Sequence, residues 1–128
     1  MSPTRPLSYL CIVITIFIPI FCAGYAKFSG KDYNNRSPRE FLDGLQGKAK
    51  RAHYAQLNSY EVFAPFAIGV LAAQQLHAPQ PIINALAITF VCVRILYVIF
   101  YIQDQPMWRS TAWFSGLFIT IALFFIGL

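Results

Sequence analysis

The sequence predicts an all-α integral membrane protein that is folded as a four-helix bundle. Of its 128 residues, 57% are hydrophobic and only 12% are charged, whereas soluble domains carry roughly 25% charged residues. A soluble domain of this size could not bury so much apolar surface, because small domains leave a large share of theirs exposed. The composition therefore excludes soluble enzymes, nucleic-acid-binding modules and disordered tails. We expect a single domain over residues 1–128.

Four apolar stretches are long enough to cross about 30 Å of hydrocarbon as helices of roughly 20 residues. They cover residues 7–26, 55–76, 82–102 and 107–127. The first stretch is uncharged and longer than the apolar core of a signal peptide, so we expect it to remain as a span. The third begins after Pro81, a residue that suits the first turn of a helix.

The second span is expected to belong to a longer helix. The preceding segment, SGKDYNNRSPRE, is rich in residues that favour turns. We expect the helix to begin near residue 43, on the cytoplasmic side of the hydrocarbon, and to end at Leu76. It would then be about 50 Å long at about 1.5 Å per residue.

The basic residues indicate how the chain is oriented. Seven of the ten Lys and Arg residues lie between the first two spans, and Arg109 lies in the turn between the last two. Because cytoplasmic loops carry an excess of Lys and Arg, we expect loops one and three to be cytoplasmic and both termini to lie outside. The net charge of +5 then reflects topology and attraction to anionic lipid. It requires no nucleic-acid partner.

Polar side chains recur within the predicted spans, where their cost makes each a candidate for a functional site. At 100° per residue they fall on common helix faces. These residues are Arg51, Asn58 and Glu61 on the second helix, where Pro65 continues the same stripe, Arg94, Tyr97 and Tyr101 on the third, and Arg109 and Ser110 at the start of the fourth. We expect them to line a polar cavity in the cytoplasmic half of the bundle.

Two structural interpretations of the same residues remain open. Glu61 and Arg94 would form a structural ion pair with Asn58 bridging the helices, because buried ion pairs are not in themselves a sign of function. An aromatic belt at the membrane surface would instead include Tyr97, Tyr101, Trp108 and Trp113.

The histidines and cysteines do not predict a metal site. His53 and His77 lack a plausible set of ligands and are expected to be solvated. The three cysteines all fall within apolar spans, where free Cys behaves as a small hydrophobe.

Two segments resemble the MAPEG family, the membrane-associated proteins in eicosanoid and glutathione metabolism. RAHYAQLNSYEVFAPF (51–66) resembles the family's second-helix signature. RILYVIFYIQDQPMWRS (94–110) resembles its third-helix Arg and Tyr, followed by the Arg-Ser that opens helix four. NNRSPREFLDGLQGKAK resembles the bacterial branch. The resemblance covers residues 34–128 and implies a homotrimer of four-helix protomers in a bacterial inner membrane. It also implies glutathione bound between protomers near the cytoplasmic face, with a lipophilic substrate arriving from the membrane lipids.

The resemblance further implies roles for individual residues. Asn58 and Glu61 match the Asn-x-x-Glu that contacts the glutathione peptide, and Arg94 and Tyr101 match residues of the same site. Tyr97, one turn from Arg94, is a further glutathione-binding candidate.

The implied catalytic residues are Arg109, at the glutathione sulfur, and Ser110, which follows it. A guanidinium favours the thiolate and does not lose its own charge. Arg51 joins Arg94 as a charge-assisted partner for the two glutathione carboxylates.

Three functions follow as hypotheses. The first is a microsomal-type glutathione transferase or peroxidase that acts on lipophilic electrophiles or hydroperoxides. The second is a non-catalytic lipid-binding or scaffold protein of the same fold, since Tyr54 stands where glutathione-using members usually have an Arg. The third is a small multidrug-type transporter that depends on Glu61.

Overall fold

The computed structural model describes residues 5–29, 33 and 35–128, and these residues form helices and no strands. The helices are α1 (Leu7–Ser29), α2 (Pro38–Asp43), α3 (Gly47–Gln75), α4 (Gln80–Ile102) and α5 (Pro106–Phe125). In the bundle α1 packs mainly on α3, and α4 packs mainly on α5, while α3 also contacts α4 and α5. The predicted all-α class is confirmed.

Three of the described helices, α1, α4 and α5, are long and apolar enough to cross a membrane. They fit an integral membrane protein. The 29-residue α3 is longer than any of them but less apolar, because Lys48, Lys50 and Arg51 lie in its first turns and Asn58 and Glu61 lie further along. Of the four predicted membrane spans, three therefore correspond to helices that qualify by length and composition, and the span within α3 does not.

The long helix α3 begins at Gly47, so the predicted start near residue 43 is wrong. The separate helix α2 begins with Pro38 in its first turn and ends before Gly44. Gly47 has a φ of 61°, a left-handed conformation that glycine adopts without steric cost. The chain turns here, and an apolar cluster holds the turn against α1 and α3. The cluster consists of Ala26, Leu42, Leu45, Ala49 and Ala52.

The main core of the bundle contains a stacked pair of rings from α3 and α4. The ring centroids of Phe66 and Phe90 are 3.9 Å apart with the planes 4° from parallel, and both residues are buried. Beside this pair α3 closely approaches α5 at Gly69. A Cβ at that position would lie 3.3 Å from Leu123 Cβ and 3.3 Å from the Thr120 carbonyl oxygen. Glycine therefore lets the two helices touch.

Amide side chains fasten the start of α1 to α4 and to the end of α3. The Ser8 N–H donates to Asn84 Oδ1 at 3.2 Å, and Asn84 Nδ2 donates to the Arg5 carbonyl at 2.8 Å. Gln80 Nε2 donates to Asn84 Oδ1 and to Gln74 Oε1, each at 2.8 Å. Because buried polar groups are costly unless they are hydrogen-bonded, this network favours one position of α1.

His53 is buried, so its predicted solvation is wrong, whereas His77 is exposed as expected. His53 lies four residues after the buried Ala49, on the core-facing side of α3, and its Nδ1 is 3.4 Å from Gln56 Oε1. The cysteines are free, with Cys11 and Cys22 buried and Cys92 exposed. Among the described residues, no group of three or more His, Cys, Asp or Glu side chains could hold a metal ion.

Candidate functional site

A cleft opens between α3 and α5 and exposes one face of α4. Its inner part has a volume of about 180 Å³ and its outer part about 280 Å³, and the two parts share Asn58 and Trp113. The polar residues of the inner part are Asn58, Glu61, Arg94 and Thr120. Those of the outer part are Asn58, Tyr97, Tyr101, Arg109 and Ser110. We call the two parts together the α3–α5 cleft.

Arg94 is the largest fully buried side chain among the described residues, with 2% of its surface exposed. Its Nη2 donates a hydrogen bond to Asn58 Oδ1 at 2.7 Å. Its Cζ lies 4.0 Å from the ring centroid of Tyr97, and its Nε is buried without a partner among the described residues. A buried cation is costly unless polar groups compensate for lost water. Asn58 and Tyr97 therefore hold a guanidinium that retains an unused donor.

Arg109 lies in the first turn of α5, which Pro106 begins. Its Cζ is 4.7 Å from the Tyr101 ring centroid, and the rings of Tyr101 and Tyr97 meet edge to face with centroids 5.7 Å apart. The four side chains form a continuous row in the order Arg94, Tyr97, Tyr101 and Arg109, which we call the cation–tyrosine row. Cation–π contacts of this kind contribute roughly 0.5–2 kcal/mol each. The row places one guanidinium deep in the cleft and one at its mouth.

The start of α5 adds positive potential at the same mouth. The first amide groups of a helix have no partners within it, and the helix dipole favours an anion there. Ser110 is exposed at this end and lines the outer part of the cleft. The mouth therefore suits an anionic group.

Glu61 lines the inner part of the cleft and is exposed. Within the described part of the chain it has no hydrogen bond or ion pair, and the hydrogen bond of Arg94 goes to Asn58 instead. The structural ion pair between Glu61 and Arg94 is therefore wrong, although Asn58 does bridge α3 and α4 as that interpretation required. Of the predicted aromatic belt, Tyr97 is buried at 4% exposure and is not a surface residue, whereas Trp108 is 60% exposed.

Arg51 is the one predicted site residue that lies apart from the cleft lining. Its Nε donates to the Ile102 carbonyl at 3.0 Å, at the end of α4 where helical carbonyls lack intrahelical partners. Tyr54, one turn further along α3, is exposed, and its ring centroid is 6.5 Å from that of Tyr101. An aromatic ring therefore lies beside Tyr101 at the rim of the cleft.

Four residues of α5 that line the inner part of the cleft were missed by the sequence analysis. They are Trp113, Gly116, Leu117 and Thr120. Counted from Arg109, they follow the three- and four-residue spacing of a helix face. That spacing was the available signal, but apolar and small side chains on such a face more often indicate core packing.

The fold and the cleft define a helical membrane protein with a cationic site between its helices. The model of the MAPEG family matches residues 7–128, and the chain therefore belongs to the MAPEG family. No curated protein and no solved structure matches the chain. The resemblance seen in the sequence over residues 34–128 is thus confirmed and extends to nearly the whole chain.

Proposed function

We propose that the protein is a membrane-bound, glutathione-dependent transferase or peroxidase that acts on lipophilic electrophiles or hydroperoxides. Membership of the MAPEG family is consistent with a glutathione-related transferase or a related function. The observation that carries the proposal is the cation–tyrosine row, which lines one cleft with two guanidinium groups. The proposed ligand presents one anionic group to Arg94 and a second to Arg109.

Glutathione has this chemistry, because it is a tripeptide with two carboxylates, an ammonium group and a thiol. Arg94 offers a carboxylate a charge-assisted hydrogen bond, and its Nε is already without a partner among the described residues. Asn58 pairs with the peptide amides, and the exposed Glu61 pairs with the ammonium group. In the proposal Tyr97 and Tyr101 position the peptide between the two guanidiniums.

The sulfur lies at Arg109 in the proposed complex. A guanidinium beside a thiol lowers the thiol pKa, and the start of α5 acts in the same direction. Ser110 donates a hydrogen bond to the thiolate. The sulfur then attacks an electrophilic carbon, the new C–S bond forms, and the leaving group departs with its electron pair. With a hydroperoxide the sulfur takes one oxygen and an alcohol leaves. A second glutathione then releases water and forms the glutathione disulfide.

A homotrimer would complete the site. The exposed side of α3 includes Leu57, Ile68 and Leu71 together with the Glu61 carboxylate. A carboxylate is costly against lipid, so a neighbouring copy is the better cover for this side. In the proposed location, a bacterial inner membrane, the mouth at Arg109 faces the cytoplasm.

One observation favours a second candidate, a lipid-binding or scaffold protein without catalysis. Tyr54 replaces a cation at the rim of the cleft and lies beside Tyr101. This exchange removes one partner for a glutathione carboxylate and adds apolar surface that suits a lipid.

The deciding experiment is equilibrium binding of glutathione to the purified protein in detergent, with thiolate absorbance recorded in the same titration. We expect a dissociation constant of about 1 mM or tighter, within the range typical of enzyme substrates. Arg109→Ala should lose the thiolate signal, and Glu61→Gln should weaken binding. Lys48→Ala removes an exposed charge from the first turn of α3. This control variant should change neither the affinity for glutathione nor the thiolate signal. Failure of the intact oligomer to bind glutathione would overturn the proposal in favour of the lipid-binding candidate.

A further inference from the structure

A branch leads from the cation–tyrosine row to a third cation at the mouth of the α3–α5 cleft. The Lys50 Nζ lies 5.7 Å from the ring centroid of Tyr54, within the reach of a cation–π contact, about 6 Å. The ring centroids of Tyr54 and Tyr101 are 6.5 Å apart, a separation typical of aromatic pairs. Tyr101 already contacts Arg109 in the row. The ring of Tyr101 therefore connects Lys50, through Tyr54, with the cation at the mouth.

Lys50 lies on the side of α3 that borders the cleft. It precedes Glu61 by eleven residues, and at about 100° per residue the two lie only about 20° apart around the helix. Glu61 lines the inner part of the cleft, and Tyr54 lies between them at the rim. Lys48 precedes Glu61 by thirteen residues and lies about 140° from it. The two lysines therefore carry the same charge on different sides of α3.

The Lys50 ammonium has no hydrogen bond or ion pair with another described residue, and its contact is with the Tyr54 ring. Asp104 lies in the turn that follows Tyr101, and its backbone N–H donates to the Tyr101 carbonyl at 3.1 Å. Within the described part of the chain, the Asp104 carboxylate forms no ion pair with Lys50 or Arg109. Both cations at the mouth are therefore able to pair with an anionic ligand.

The proposed glutathione complex leaves one carboxylate without a partner. Arg94 binds the other carboxylate, and Arg109 lies beside the thiolate. Arg51 was expected to bind the second carboxylate, but its Nε donates to a carbonyl at the end of α4. Glutathione with an ionised thiol carries three anionic groups. With Lys50 included, the cleft and its rim offer three cations to match them.

The spacing along α3 suits this match. Asn58, which accepts the hydrogen bond of Arg94, lies eight residues after Lys50, or about 12 Å along the helix. A fully extended tripeptide spans about 10 Å, and a hydrogen bond at each end adds about 3 Å. A tripeptide held at Arg94 therefore reaches Lys50. Because Glu61 pairs with the ammonium group in the proposed complex and lines the inner part of the cleft, the glycine end lies at the mouth.

We propose that Lys50 binds the glycine carboxylate of glutathione and so makes the site select the tripeptide over thiols that lack this carboxylate. Tyr54 positions the Lys50 ammonium at the rim, so the aromatic ring supports the glutathione site. This assignment rests on the proposed function and deepens it, since it names the residue that recognises one end of the substrate.

The test is the equilibrium titration in detergent, done with glutathione and with its glycine monoethyl ester, which lacks the charge of that one carboxylate. The wild type should bind the ester about two- to fivefold more weakly, the range for a partly exposed ion pair. Lys50→Gln should lower the affinity for glutathione by the same factor and leave the ester unchanged, and Lys50→Arg should retain both affinities. Lys48→Gln is the matched control and should change neither. At saturating glutathione the thiolate signal of Lys50→Gln should equal that of the wild type, because Arg109 stabilises the sulfur.

Three results would overturn the assignment and leave the proposed transferase standing. Unchanged glutathione binding in Lys50→Gln would remove this lysine from the site. Equal losses for glutathione and the ester would show that Lys50 does not act through the glycine carboxylate. An equal loss in Lys48→Gln would assign the effect to the general positive charge at this end of α3. If the wild type binds neither ligand, the transferase proposal fails, and this assignment fails with it.

Discussion

Replacement of Asn58 by alanine should destabilise the bundle through Arg94. In the wild type the Arg94 guanidinium has one hydrogen bond, from Nη2 to Asn58 Oδ1 at 2.7 Å, and its Nε has no partner among the described residues. The Asn58→Ala variant removes the amide and leaves a 2% exposed cation with the Tyr97 ring as its remaining contact.

The structure sets the size of the effect. A hydrogen bond to a charged group contributes about 1.5–3 kcal/mol, and breaking a fully buried ion pair costs about 3–5 kcal/mol. Asn58 is only partly buried and lines the cleft, so water can replace part of the lost interaction. We therefore expect the free energy of unfolding to fall by about 1.5–3 kcal/mol.

The assay is unfolding by sodium dodecyl sulfate in mixed micelles at fixed protein concentration, followed by tryptophan fluorescence. Trp113 lines the cleft and should report its opening. Asn58→Asp is the matched control, because it keeps the acceptor and the shape, and its stability should stay near that of the wild type. In an Arg94→Met background no buried charge remains, so Asn58→Ala should then cost less than about 0.5 kcal/mol. An equal cost in both backgrounds would refute this reasoning, because the effect would not pass through the guanidinium.

Three further variants test other parts of the structure. Gly69→Ala should push α3 from α5 and cost about 1–3 kcal/mol in the same unfolding assay, whereas Gly24→Ala, with open space around it, should be neutral or slightly stabilising. Asn84→Ala should cost about 1–3 kcal/mol because it leaves the amide network unsatisfied, and the exposed Thr89→Ala should not. In glutathione complexes, Arg109→Ala should move thiolate formation to higher pH, since the guanidinium lowers the thiol pKa. An unchanged midpoint in the absorbance titration would show that another group stabilises the sulfur.

The helices that the sequence predicted well are those of uniform composition. The third predicted span, residues 82–102, ends where α4 ends and begins two residues after Gln80. The start of α3 was not predictable from charge and hydropathy, because it depends on the backbone conformation at Gly44 and Gly47. A glycine permits a left-handed φ without requiring one.

For the candidate site, too, the composition predicted which residues are involved but not the local geometry that pairs them. Polar residues in apolar helices predicted a cavity, and Asn58, Arg94 and Arg109 do line one cleft. The partner of Arg94 was not predictable, since Asn58 and Glu61 share a face of α3 and the register between helices selects one of them. Arg51 lies on the same face as Asn58, but the carbonyl at the end of α4 takes its hydrogen bond. Such hydrogen-bond partners depend on where the neighbouring helices lie and end. The residue pattern of one helix does not carry that information.

The close approach at Gly69 and the ring stack beside it close one end of the α3–α5 cleft. Beyond Thr120 the helices α3 and α5 touch, and the rings of Phe66 and Phe90 fill the interior at that depth. Among the described residues these contacts close the inner end of the cleft, so in the proposed function we expect dissolved ligands to enter at the Arg109 end. For the proposed transferase, this closure means that the water-soluble reactant is supplied from one side of the membrane only, whereas a lipophilic reactant is supplied sideways from the bilayer.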